Sequence, residues 1–323
     1  QAILSKAAMR VTTKFDRSLT LPLMQRLPEN PLTFIREGDG LVGWGIHTVL
    51  TASGPDRIGE LAKAWRELVA GANVDDEVRL PGTGLVAFGA IAFDEQSQAS
   101  SVLIVPKVVL GSRDGDFWVT SVDGAALPAA SQVRSSTIES LQSGVLTRGG
   151  FKSAVSSALA AIGSARVEKV VLARDLVASI DDSFDIRSPL QKLAERYPAC
   201  WVYSVDGLFG ASPELLVRVS HKQVSARVLA GTAGRGTDPG VDQAIGAALT
   251  SSHKNLVEHS FAVDSMVRAL APFCEHVDAD ETPFSLKLPN VWHLASDVHG
   301  VLRDDASVLD LAAAIHPTAA VAG

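Results

Sequence analysis

Turn-forming residues interrupt this chain so often that no apolar stretch grows long. The tract at residues 84–93 (GLVAFGAIAF) is short and reads as a buried strand, far below the roughly 20 residues that a membrane-crossing helix needs. The fold must therefore be assembled from many short elements that bury their apolar faces against one another. With 323 residues, 46% of them hydrophobic, there is material for one large core or two fused halves. The N-terminal residues (QAILSKAAMRVTTKFDR) lack the apolar block and cleavage site of a secretory signal. Cys200 and Cys274 have no CxxC spacing, so neither a disulfide framework nor a structural zinc is expected, and the expected compartment is the reducing cytoplasm. A net charge of −7 without a dense Lys/Arg cluster argues against nucleic acid and against an anionic membrane as partners.

Periodicity organises the chain into strands, a helix and strands again. Residues 58–70 place Ile58, Leu61, Trp65, Leu68 and Val69 on one helical face, and extended pieces at 102–110 and 117–122 follow. Residues 123–150 are small and polar and read as a surface connection between two topological halves, about 1–150 and 151–323, of a single domain. The second half is read as a helix at 150–162, a strand at 167–178, a helix at 184–197, strands at 200–205, 215–220 and 223–229, and one long helix at 242–270. Many strands in hairpin order with interspersed helices predict an α+β fold with large, mostly antiparallel sheets.

Several segments carry candidate chemistry. In EKVVLARDLVA (168–178), Lys169 shares a strand face with Val171, Ala173 and Val177. It is either a lysine that snorkels to solvent or a desolvated base with a lowered pKa. Glu214, in LFGASPE, is either an ordinary carboxylate at a strand edge or a carboxylic acid kept protonated by its surroundings. LAGTAGRG (229–236) ends a strand in glycines whose N–H groups can approach an anion, or is a plain turn. Along the long helix, Leu249, Leu256, Val263, Val267 and Leu270 form a core stripe. Half a turn away, Ser251, Asn255, Glu258, Ala262 and Ser265 form a stripe that faces a cavity or solvent, and Glu258 could offer oxygen to a hard cation. The spacing around His259 matches no zinc-hydrolase signature.

Taken in order, EKVVLAR, LFGASPELL, LAGTAGRG, KNLVEH, NVWHLASDVHGVL and IHPTAAVAG resemble the chorismate-utilising enzyme family over residues 168–323. That resemblance implies a chorismate-binding enzyme fold, a large two-sheet sandwich with outer helices and a site between its halves. Water-adding members carry lysine at the position of Lys169, where ammonia-using members have glutamine. Ala230 stands where aminodeoxychorismate synthases place a nucleophilic lysine. Ala320 is small, as in isochorismate synthases, whereas pyruvate-eliminating members such as salicylate synthases have threonine there.

The implied activity is a reversible hydroxymutase reaction, an isochorismate synthase, with salicylate synthase or a non-catalytic binding protein as alternatives. Its product would serve menaquinone or siderophore biosynthesis. Lys169 is the implied base and Glu214 the acid. Gly231, Thr232, His293 and Ala320 would contact chorismate, and Glu258 would ligate Mg2+. No amidotransferase subunit is implied, and the protein is expected to be a monomer. Two departures stand out. Asn255 replaces the family's acidic residue three positions before the helix glutamate. Relatives also continue beyond the position of Gly323, with further metal glutamates and a carboxylate-gripping arginine, so the site within these residues is expected to be incomplete.

Overall fold

The computed structural model describes residues 8–135, 137–167 and 170–318. Lys169 and Ala320 lie outside the described residues. The chain begins with β1 (Arg10–Phe15), β2 (Leu32–Arg36), β3 (Asp39–Trp44), β4 (Thr48–Ala52), α1 (Arg57–Ala70), β5 (Asn73–Asp76) and β6 (Phe88–Ala90). It continues with β7 (Ser101–Val105), β8 (Val108–Arg113), β9 (Asp116–Val122), β10 (Ile138–Ser143), α2 (Arg148–Gly163), β11 (Leu176–Ile180) and α3 (Arg187–Arg196). Next come β12 (Trp201–Val205), β13 (Leu208–Ser212), β14 (Arg218–Ser220), β15 (Gln223–Gly234), α4 (Pro239–Ser251) and α5 (His253–Leu270). The last elements are β16 (Cys274–Ala279), β17 (Phe284–Lys287), β18 (Val291–Leu302) and α6 (Val308–Ile315).

Among the described residues, one eight-stranded sheet runs β13-β12-β2-β3-β8-β9-β1-β5. A five-stranded sheet is built on β14-β15-β18-β16, with β17 also on β18. The parallel pairing of β1 with β5 is the exception in these otherwise antiparallel sheets. The fold is α+β, with two large sheets, helices outside, and smaller sheets β4-β7-β6 and β10-β11. Because β12 pairs with β2, the large sheet crosses the division near residue 150.

Side-chain pattern explains which faces are covered. In β9, Trp118, Thr120 and Val122 alternate inward, whereas β7 and β8 are buried on both faces and read as continuous apolar runs. Trp118 lies directly on Gly111, where a Cβ would fall 2.0 Å from the indole. Leu23, Leu27 and Leu190 of α3 cover β2, β3, β8 and β12. A second core lies where Met266 and Leu270 of α5 and Leu311 and Ile315 of α6 pack on Val224, Ala226 and Val228 of β15 and on Val298 of β18.

Five expectations are corrected. Of residues 84–93, only Phe88–Ala90 is strand, because Gly84 at φ +71° turns the chain before it. The strand expected at 167–178 is formed only as Leu176–Ile180. β10 ends at Ser143, opposite Leu176, and among the described residues no strand pairs with 170–175, so Val170, Val171 and Leu172 stay partly exposed. The connection at 123–150 contains β10. The strand expected at 215–220 is reduced to Arg218–Ser220, with Leu215 and Leu216 outside it. Finally, the helix at 242–270 is two helices: Ser252, at ψ 111°, breaks it and caps α5 by accepting from the Asn255 N–H.

Candidate functional site

The site is organised by an irregularity in the β15–β18 ladder. Leu229 pairs with Ala295 and Thr232 pairs with His293, so Ala230 and Gly231 together oppose Leu294. This is a β-bulge. Gly231 sits at φ +95°, a conformation that glycine adopts without the steric cost of a Cβ. Beyond the bulge, Thr232 Oγ1 and His293 Nδ1 are 2.9 Å apart. Burial lowers the His293 pKa, an effect that the neighbouring Gly231 backbone only partly offsets, which favours the neutral imidazole. Gly231, Thr232 and His293 are thus brought together.

Helix α5 lies over this bulge. Asn255 approaches Gly231, at 3.7 Å from where a Cβ would stand. One turn further, His259 is buried, its Nδ1 3.0 Å from the Ala230 carbonyl and its Nε2 2.9 Å from Ser296 Oγ. A carbonyl only accepts, so Nδ1 carries the proton and Nε2 accepts from the serine. Burial lowers the His259 pKa, and the bond to Ala230 offsets part of that. Further along α5, Ala262, Ser265 and Met266 line a cavity of about 40 Å³ with Glu214, Val228, Ile315 and Thr318. That is room for one or two waters. The buried side of α5 is therefore His259, Ala262, Met266 and Leu270, whereas the expected core residues Leu256, Val263 and Val267 are only partly buried.

Glu214 sits in the irregular link between β13 and β14, its N–H donating to Ser212 Oγ at 3.2 Å. Desolvation raises its carboxyl pKa. That is the electrostatic condition for a group that carries a proton to a leaving oxygen. Glu258 is different: it is partly exposed and lies 3.9 Å from Lys254 Nζ. Among the described residues no three His, Cys, Asp or Glu side chains cluster as a metal site. These residues offer magnesium one carboxylate, which does not make a site.

Sequence reasoning missed two parts of this arrangement. One is His259; its signal was the apolar series at i+3, i+7 and i+11 (Ala262, Met266, Leu270), which places it on the buried face. The other is Asp242, buried at the start of α4, which accepts from Arg235 through both oxygens, from Trp292 Nε1 and from the Gly236 N–H. Lys287 Nζ is 3.1 Å away, and these partners hold the Asp242 carboxylate ionised far below its ordinary range. This clamp ties together the ends of β15, β17 and β18 next to Thr232 and His293.

Residues 122–323 match the family model described as chorismate binding enzyme. The chain belongs to that family. A putative isochorismate synthase MenF of Mycobacterium tuberculosis is 37% identical over 254 residues, covering 75% of this chain and 65% of that protein. Isochorismate synthase DhbC of Bacillus subtilis is 37% identical over 185 residues, covering 54% of this chain and 46% of that one. The chain thus spans less than two thirds of the length of these curated relatives. Among solved structures, the putative 2,3-dihydroxybenzoate-specific isochorismate synthase DhbC from Bacillus anthracis superposes with a TM-score of 0.74 at 27% identity, covering 93% of this chain and 76% of that one. In this chorismate-binding enzyme α5 meets Gly231 at Asn255 and the Glu214 cavity at Ala262, Ser265 and Met266, with His259 between them.

Proposed function

We propose that this protein is an isochorismate synthase, a hydroxymutase that interconverts chorismate and isochorismate. The observation that carries the reading is Glu214, a carboxyl whose pKa burial raises, in a cavity bordered by the helix that also covers Gly231. Similarity to proteins named as isochorismate synthases supports it. In the proposed reaction water attacks C2 of the ring and the hydroxyl at C4 leaves. Lys169 takes the proton from the attacking water, and Glu214 protonates the departing oxygen from the other face of the ring. Gly231 and Thr232 hold the substrate through backbone and hydroxyl, His293 lies beside the ring, and small Ala320 favours isomerisation over loss of pyruvate. Chorismate is the small-molecule substrate, no amidotransferase subunit is needed, and a cytoplasmic monomer suffices. Magnesium is the cofactor expected from the family, with Glu258 as one carboxylate toward it.

The test is incubation of the protein with chorismate and magnesium chloride, followed by chromatography of the products. Isochorismate without salicylate is expected. Glu214→Gln should lower kcat by about 10² to 10⁴ with little change in KM, as for a general acid. Salicylate as the main product, or wild-type turnover by Glu214→Gln, would overturn the assignment.

A further inference from the structure

We infer that His259 is a positioning residue which, with His293, locks the bulge of β15 and so fixes how Gly231 and Thr232 are presented. The inference rests on reading those two residues as the substrate-binding end of the strand. Nothing in the proposed chemistry uses His259, yet it is one of the most deeply buried side chains in the protein.

Two residues opposing one cannot both keep their pairing with the neighbouring strand. A carbonyl freed there must find another donor, because an unpaired buried carbonyl is costly. Here histidines from two different elements fasten the bulge. His259 reaches the Ala230 carbonyl from α5, and His293 meets Thr232 Oγ1 from β18. The Ser296 hydroxyl, on β18, bonds Nε2 of His259 and so fixes its ring with the proton on Nδ1. One imidazole therefore joins α5, β15 and β18 at the residue that precedes Gly231.

The consequence follows from the period of a strand. If the bulge relaxed into regular pairing, the register beyond it would slip by one residue and every later side chain would change face. Thr232 would then leave the face on which it meets His293. The bond to Ala230 opposes that slip.

Asparagine and glutamine separate this role from mere filling of space. An asparagine amide at position 259 can put its N–H close to where Nδ1 stands, facing Ala230. A glutamine amide reaches instead toward the place of Nε2 and Ser296. His259→Asn should keep KM for chorismate within about threefold of wild type, whereas His259→Gln should raise it about tenfold or more with a smaller change in kcat. A residue that only fills volume predicts the reverse order, since glutamine is the closer match in size. Amide hydrogen exchange across residues 229–234 should be faster in His259→Gln than in His259→Asn, and this readout needs no turnover. If wild type forms no isochorismate, the functional reading fails while the exchange comparison still decides the lock. If the histidine variants do not fold, Ser296→Ala keeps the imidazole and frees its tautomer; it should raise KM and speed exchange across 229–234. Glutamine equal to or better than asparagine, or Ser296→Ala without effect on either readout, overturns the inference.

Discussion

Arg187→Met should be among the most damaging single substitutions outside the site. The Arg187 and Asp185 side chains are 1% and 2% exposed and meet at 2.6 Å. Nε and Nη2 bond the two carboxylate oxygens, and the remaining donors reach Ser131 Oγ and the carbonyls of Leu27 and Gln132. The Arg134 N–H also donates to Asp185, so the pair anchors the link from β9 to β10 under α3. The guanidinium, helped by backbone N–H groups, holds Asp185 at about 2 against an ordinary 3.8, which at about 1.36 kcal/mol per pH unit is worth about 2.4 kcal/mol. Methionine removes that and leaves several buried acceptors unpartnered, so the expected loss is about 3–5 kcal/mol. A depressed carboxyl stabilises above its unfolded pKa and loses this contribution as pH falls through its folded value. The gap between wild type and variant should therefore be full at pH 7.5 and narrow between about pH 4 and 2. Urea unfolding followed by tryptophan fluorescence reads both. Adding Asp185→Leu to Arg187→Met should recover stability, because an apolar pair carries no stranded charge. A loss below about 1 kcal/mol, the range of exposed ion pairs, would refute the reasoning.

Two further outcomes follow from the site. Burial raises the Glu214 pKa, so its contribution to stability is present below the unfolded value and is lost as pH rises through the folded one. Glu214→Gln should accordingly melt higher than wild type at pH 8, with the gap closing near pH 4; identical melting curves at both pH values would contradict the buried acid. Gly231→Ala has room, since the new Cβ would lie 3.5 Å from Leu294 Cβ and 3.7 Å from Asn255 Cβ. Its φ of +95° makes the substitution cost about 1–2 kcal/mol, read by thermal melting and accompanied by a higher KM for chorismate.

What could be read in advance depended on whether a pattern carries its own partner. Residues 223–229 alternate and form the first part of β15 as expected, because one face of a half-buried strand declares itself. The tract around Lys169 is equally apolar, but apolar composition does not reveal that β10 stops at Ser143. Helix α5 was placed in the chain, yet its buried face was misjudged because leucines and valines were weighted over His259 and Ala262. The histidine is buried since both ring nitrogens are satisfied, and those partners are 29 and 37 residues distant. Arg187 and Asp185 pose the same difficulty: two charges are buried because each completes the other.

The strand that carries Gly231 and Thr232 is held on both sides of the bulge. Up to Ala230, β15 is regular, with Val224, Ala226 and Val228 packed beneath α5 and α6. After Gly234, Arg235 and Gly236 are fastened to Asp242, which also holds Trp292, the neighbour of His293. Between these anchors the chain departs from the ladder where His259 takes up the Ala230 carbonyl and His293 meets Thr232. A glycine-rich segment would ordinarily sample many conformations. Suspended between a packed strand and a buried carboxylate clamp, it has little freedom left, which is the restraint that the proposed binding of chorismate by its backbone groups requires.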